Sequence, residues 1–196
     1  MLSVLCDPQF ADDQLSEDVL TTKTVFLLAL ASGDRRSAFS ALQHPTRFDE
    51  SFMFLSYCAD FVPKSFFVRK NVASIDPIRI PFVSDNSCVQ VCPCRTTLFY
   101  LDVVASRRAS HHRTLLLHHS VDNTRSLTPQ AVARYIIKLV RWAYSQAGAT
   151  SPPCRVHDVR KIAASMQALL GKVCPTFCKR VSGPPPSPFL STTLCR

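Results

Sequence analysis

The chain reads as α+β and mainly helical, with 196 residues, one domain's worth. Three observations carry this reading. Residues 129–146 and 155–171 place apolar side chains at steps of three, four and seven, the period of a helix with one buried face. Residues 23–32 are apolar all round, as a central helix is. Residues 46–70 switch to short mixed apolar and aromatic runs, and 78–83 return as an extended segment around prolines, which favours strands. At 46% hydrophobic residues, the chain can bury a real core.

Taken in order, residues 1–14 show no sustained period and are expected to form a loosely ordered lead-in, with Ser16 able to cap a short helix near the acidic run 12–18. Thr21 or Thr22 can cap the helix at 23–32, which Gly33 breaks. Asp34 can cap a further helix across 35–43, with Phe39 and Leu42 facing inward. Residues 51–57 read as a strand, 66–68 as another, and 78–83 as an extended return around Pro77 and Pro81. Pro93 suits the first turn of a helix over 92–103, whose inner side falls to Leu98, Leu101 and Val104. A polar, basic loop follows at 105–113, and 115–117 is either a buried strand or a helix end.

Thr128 and Pro129 make the clearest helix start in the chain, cap followed by first helical position. Val132, Ile136, Leu139, Val140 and Ala143 mark its inner face, while Arg134, Lys138 and Arg141 lie off that stripe, toward DNA or toward water. A loop at 148–153 delivers the chain to the last helix, whose stripe is Val156, Val159, Ile162, Ala163, Met166, Leu169 and Leu170, with Gly171 as its expected stop.

That last helix opens on His157-Asp158-Val159-Arg160. His157 and Arg160 are three apart and so share one helical side, near the positive end of the helix dipole. An imidazole that can donate or accept, beside a permanently charged five-donor guanidinium, suits a phosphate with an oxygen to protonate or deprotonate. Taken alone, a histidine and an arginine in a first helical turn are also an ordinary solvated face.

Four blocks stand in order along the chain: KTVFLLALASGDRRSAFSAL at 23–42, DFVPK at 60–64, CPCRTTLFYL at 92–101, and His157 to Arg160. In this order and spacing they resemble the catalytic domain of tyrosine recombinases, in a form found in recombinases of eukaryotic mobile elements. The resemblance covers nearly the whole chain. It implies a recombinase catalytic-like domain over 15–181 with a small antiparallel sheet, and a degenerate tail over 182–196. It also implies a catalytic set: Arg35, His157 and Arg160 on the scissile phosphate, and a lysine on the sheet that protonates the leaving oxygen, either Lys64 or Lys70. Two arginines clamping the non-bridging oxygens would meet charge that builds as phosphorus becomes five-coordinate. No metal or other cofactor is expected, since the guanidiniums fill the electrostatic role of a cation.

The chain departs from that pattern in four places. Ala38 stands where the family usually has an acid that holds the first arginine. The nucleophilic tyrosine is expected near Thr193, where the chain reads Leu190-Ser191-Thr192-Thr193-Leu194, and a preceding ring donor falls near Gly183. All four tyrosines, Tyr57, Tyr100, Tyr135 and Tyr144, precede His157. A threonine hydroxyl ionises far above a phenol, whose value is about 10, and no activating base is apparent beside it. Residues 1–14 are also too few for the N-terminal helical domain with which the family clamps DNA. The expectation is a nuclear DNA-binding protein, related by descent to DNA recombination and integration, that does not cleave strands by itself. The alternatives are an active recombinase with a relocated or trans-supplied nucleophile, and a structural remnant that does not bind DNA.

Charge agrees with that expectation without choosing it. Lys+Arg 23 against Asp+Glu 14 gives a net charge of +9, which favours an anionic partner, here double-stranded DNA, with a second copy or an intact recombinase relative as protein partners. No membrane partner is expected, because the strongest apolar run, 25–31, ends at Asp34, Arg35 and Arg36. Nine cysteines, an odd number without a convincing secretory leader, are expected as reduced thiols. Cys92-x-Cys94, Cys174-x-x-x-Cys178 and the doublets His111-His112 and His118-His119 lack the spacing of a structural zinc site.

Overall fold

The computed structural model describes residues 5–62, 75–83, 86–107, 115–118 and 126–173. They form a mixed α+β fold, mostly helical, with a small open antiparallel sheet. One compact unit spans Met1–Ala163, and Ala164–Arg196 forms another, described along its helix as far as Val173.

Helix α1 (Glu17–Ser32) runs through the centre of the first unit. Every residue from Leu20 to Ala29 is buried, as an all-round apolar helix requires. The two pieces expected at 12–18 and 23–32 are one helix from Glu17 onward. Thr21 and Thr22 do not cap it: their hydroxyls donate to the carbonyls of Glu17 and Asp18, each at 2.7 Å, and Thr24 donates to Leu20 O at 2.8 Å. These back-bonds let three hydroxyls be buried with partners. Ser16 takes the N-cap position with extended backbone and no side-chain cap bond. Gly33 ends the helix in the left-handed conformation, φ 64°, its N–H closing onto Ala29 O at 3.0 Å.

The expectation of a loosely ordered lead-in over 1–14 is corrected for Leu5–Gln14. Leu5 and Phe10 are core residues, and the Phe10 ring lies 4.3 Å from that of Trp142, centroid to centroid. Lys23 explains why the segment docks. Its ammonium is fully buried inside α1 and donates to Phe10 O at 2.6 Å and Asp12 Oδ1 at 2.8 Å. A buried cation without such partners would be costly, so the segment that supplies them is held in place. Short 3-10 turns at Pro8–Phe10 and Asp12–Gln14 bring both acceptors to it.

Helix α2 (Arg36–Phe39) is one turn long, and strand β1 (Leu42–Phe48) begins where a continuing helix was expected. Phe39 and Leu42 are both buried, but Leu42 is so as a strand residue paired with Tyr57. β1, β2 (Phe52–Tyr57) and β3 (Ile78–Pro81) pair antiparallel in the order β1-β2-β3. The β1–β2 turn is closed by Asp49, whose Oδ1 accepts the N–H groups of Ser51 at 2.8 Å and Phe52 at 2.7 Å. Register shifts on both sides of Pro45 relieve a strand position that cannot donate to the ladder. The strand read at 66–68 lies outside the described residues.

Helix α3 (Pro93–Val104) starts with Pro93 in its first turn, as expected. Its inner face differs: Cys94, Thr96, Thr97, Tyr100 and Val104 are buried, while Leu98 is 39% exposed. Polar contacts turn the helix this way. The Thr96 hydroxyl reaches the Asp12 carboxylate at 3.1 Å, Thr97 donates to Pro93 O at 2.7 Å, and the Tyr100 oxygen accepts the His118 N–H at 3.1 Å. Cys94 Sγ lies 3.2 Å from Ile80 O, and the Val83 N–H points to Cys92 Sγ at 3.4 Å, so these thiols tie β3 to the start of α3.

Leu116 and Leu117 are buried in an extended stretch beside β1, with Leu116 N–H on Leu42 O at 2.7 Å. Helix α4 (Pro129–Gln146) follows the expectation closely: Thr128 Oγ1 accepts the Ala131 N–H at 3.2 Å, and Val132, Ile136, Leu139, Val140 and Ala143 are buried. Helix α5 (Val156–Val173) buries Val159 and Ala163 but leaves Ile162 50% exposed, and it runs on past Gly171. Among the described residues, no helix is long and apolar enough to cross a membrane.

Candidate functional site

The turn between α1 and α2 and the first turns of α5 meet. Gly33 is what shapes the turn. Its positive φ, open to glycine at no steric cost, lets the chain reverse at the end of α1 and leaves its carbonyl free of the helix. Arg160 Nε donates to that carbonyl at 3.0 Å. The bond uses one of the five guanidinium donors, and Arg160 is otherwise exposed.

Asp34 sits under this contact. Its N–H donates to Ser32 Oγ at 3.2 Å, and its Oδ2 accepts the Tyr57 hydroxyl at 3.1 Å. Burial pushes the Asp34 carboxyl above its ordinary value, against the opposing pull of the Tyr57 hydrogen bond and the Arg160 charge. The Tyr57 phenol is pushed up in turn by its own burial, by the Asp34 charge and by the bond to it. The phenol is thereby held neutral, donating a hydrogen bond to Asp34. Tyr57 also packs against Phe61, ring centroids 5.1 Å apart, which fixes its plane.

Arg35 follows directly, as the N-cap residue of α2 with extended backbone, φ −81° and ψ 146°. It is exposed, as is Arg36. Among the described residues neither has a salt bridge or a hydrogen bond through its side chain. His157 lies in the opening turn of α5, exposed and one turn before Arg160. That turn is set by Asp158, whose Oδ2 accepts the Arg155 N–H at 2.8 Å, half of a capping box. Lys161 makes a loose pair with the same carboxylate at 3.8 Å, away from Arg160.

The structure therefore brings Arg160, with His157 one turn away, to the segment that carries Arg35. Lys64 and Lys70 lie outside the described residues, as do Gly183 and Thr193. Two residues of the site were not singled out by sequence reasoning, Asp34 and Tyr57. In sequence Asp34 is a candidate helix cap and Tyr57 a strand residue; only their mutual contact, across 23 residues, gives them another role. The Ala38 position, where the resemblance implies an acid beside Arg35, is buried, and the Arg160 charge acts on the Asp34 carboxylate.

Chemically, the arrangement presents exposed guanidinium and imidazole groups near a half-buried carboxylate whose pKa burial raises. It suits recognition of an anion with several oxygens. Among the described residues, no three His, Cys, Asp or Glu side chains gather as metal ligands would. No family model matches the chain, and no curated protein matches it.

Proposed function

We propose that this chain is a DNA-binding protein of tyrosine recombinase descent, with a recombinase catalytic-like fold, that grips duplex DNA through its backbone phosphates in the nucleus and does not cut it. The observation that carries this reading is the Arg160–Gly33 hydrogen bond at 3.0 Å, which sets the His157–Arg160 turn against the segment bearing Arg35. These are the residues that the resemblance assigns to one phosphate. Among the described residues Arg35 has no side-chain partner to satisfy, and Arg160 spends one donor on the turn. A net charge of +9 supplies the long-range attraction.

Binding without cleavage follows from what stands near position 193. The family's reaction needs a phenolic oxygen in line with the leaving oxygen, and the chain has threonine there. Tyr57, the tyrosine near the turn, has its hydroxyl committed to Asp34.

The test is titration of a labelled duplex at two salt concentrations with the parent protein and with Arg35→Gln/Arg160→Gln. The parent should bind with an affinity that falls steeply as salt rises, largely independent of sequence, and the double variant should bind more weakly with a shallower dependence. An affinity unchanged between the two salts would remove the proposal.

A further inference from the structure

The sheet carries a second cationic feature. Strand alternation sends Met53 and Leu55 into the core, with Ile80 beside them, so Phe54 faces the other way. The register sets Arg47 of β1 and Arg79 of β3 directly opposite Phe54. The Arg47 guanidinium carbon stands 4.6 Å from the Phe54 ring centroid and that of Arg79 6.0 Å. The ring is only 6% exposed, and two cations flank it. Both arginines are exposed, and among the described residues neither has an acidic partner. The acid nearest to Arg47 in sequence, Asp49, has its Oδ1 engaged by the β1–β2 turn.

Covering Phe54 does not require this much charge. A neutral side chain of similar length would do so without setting two like charges on one small face, an arrangement that is unfavourable until an anion arrives. Guanidiniums already held against a ring also lose little freedom on meeting a phosphate. We propose that this face of the sheet, through Arg47 and Arg79 on either side of Phe54, binds backbone phosphates of duplex DNA as a patch separate from Arg35, His157 and Arg160. The proposal rests on the reading of the chain as a DNA-binding protein. An open strand surface suits the repeating charge of a duplex, one per about 1.7 Å of axis, better than it suits a single small anion, which a pocket would enclose. The alternation that turns Phe54 outward turns Tyr57 toward Asp34, so the two patches use opposite faces of β2.

The experiment measures duplex affinity across a salt series for the parent, Arg47→Gln/Arg79→Gln, the single Arg79→Gln and Arg35→Gln/Arg160→Gln. Each lost phosphate contact should make the slope of log affinity against log salt shallower by about one, so the sheet double variant should lose about two. The single variant should lose about one. It leaves the closer cover of Phe54 in place, so it remains informative where the double variant fails to fold. Slopes equal to the parent's in both sheet variants, with Arg35→Gln/Arg160→Gln weakened, would overturn the sheet patch alone and leave the arginines as cover for Phe54. A parent that shows no salt-dependent binding would overturn both readings.

Discussion

Arg160 Nε and Gly33 O, 127 positions apart in sequence, are hydrogen-bonded at 3.0 Å. The acceptor points where it does because Gly33 holds φ 64°. Gly33→Ala would place a Cβ in the left-handed region, at a cost of about 1–2 kcal/mol. Urea unfolding should show a loss of that size, and duplex binding should weaken as the carbonyl shifts under Arg160. An unchanged unfolding midpoint would show that the turn tolerates a side chain.

Asp34 gives a pH dependence of defined sign. Burial raises its folded-state value, so the folded chain favours the protonated carboxyl. The stability this contributes is whole below the unfolded carboxyl's range and is lost as pH rises through the folded value. Asn at this position keeps a polar partner for the Tyr57 hydroxyl and has no charge to desolvate. Asp34→Asn should therefore gain stability relative to the parent between about pH 4 and about pH 7. Urea midpoints at both values check this, and a difference that does not change with pH would contradict it.

The proposed lack of cleavage is tested with a nicked suicide duplex. Incubated with the purified chain and run on a denaturing gel, it should yield no covalent protein–DNA adduct. An adduct mapped to Thr193 or to Tyr57, Tyr100, Tyr135 or Tyr144 would make the chain an active recombinase with a relocated nucleophile.

Thr128→Ala should cost about 1 kcal/mol, the loss of a side-chain cap that accepts the Ala131 N–H. Ser16→Ala should cost much less, since Ser16 holds the equivalent position on α1 without such a bond. Paired denaturation curves of the two variants separate the cases, and equal losses would show that the two caps contribute alike.

What could be read from the sequence was mostly local. Thr128, Pro129 and the stripe from Val132 to Ala143 lie within one helix and describe it almost completely. The strand at Phe52–Tyr57 and the break at Gly33 were legible for the same reason. β1 was not, because Leu42 is apolar on either a helix or a strand, and its pairing with Tyr57 decides between them. The inner face of α3 differs from the apolar pattern because Thr96 and Thr97 are buried in preference to Leu98: Thr96 has a partner in Asp12, far off in sequence, and Thr97 satisfies its hydroxyl within the helix on Pro93 O. At the site, His157 and Arg160 could be picked out by type and spacing, and Arg35 only through the resemblance. The contact of Asp34 with Tyr57 could not, since each residue has an ordinary local explanation.

The Asp12 carboxylate accepts Lys23 from 11 residues away and Thr96 from 84. The first of these closures is short and loses less chain entropy than the second. During synthesis, the ammonium of α1 has both its acceptors, Phe10 O and Asp12, already made, because they precede it in the chain. The segment Leu5–Gln14 thus carries the counter-ion that lets a lysine-bearing helix lie in the interior.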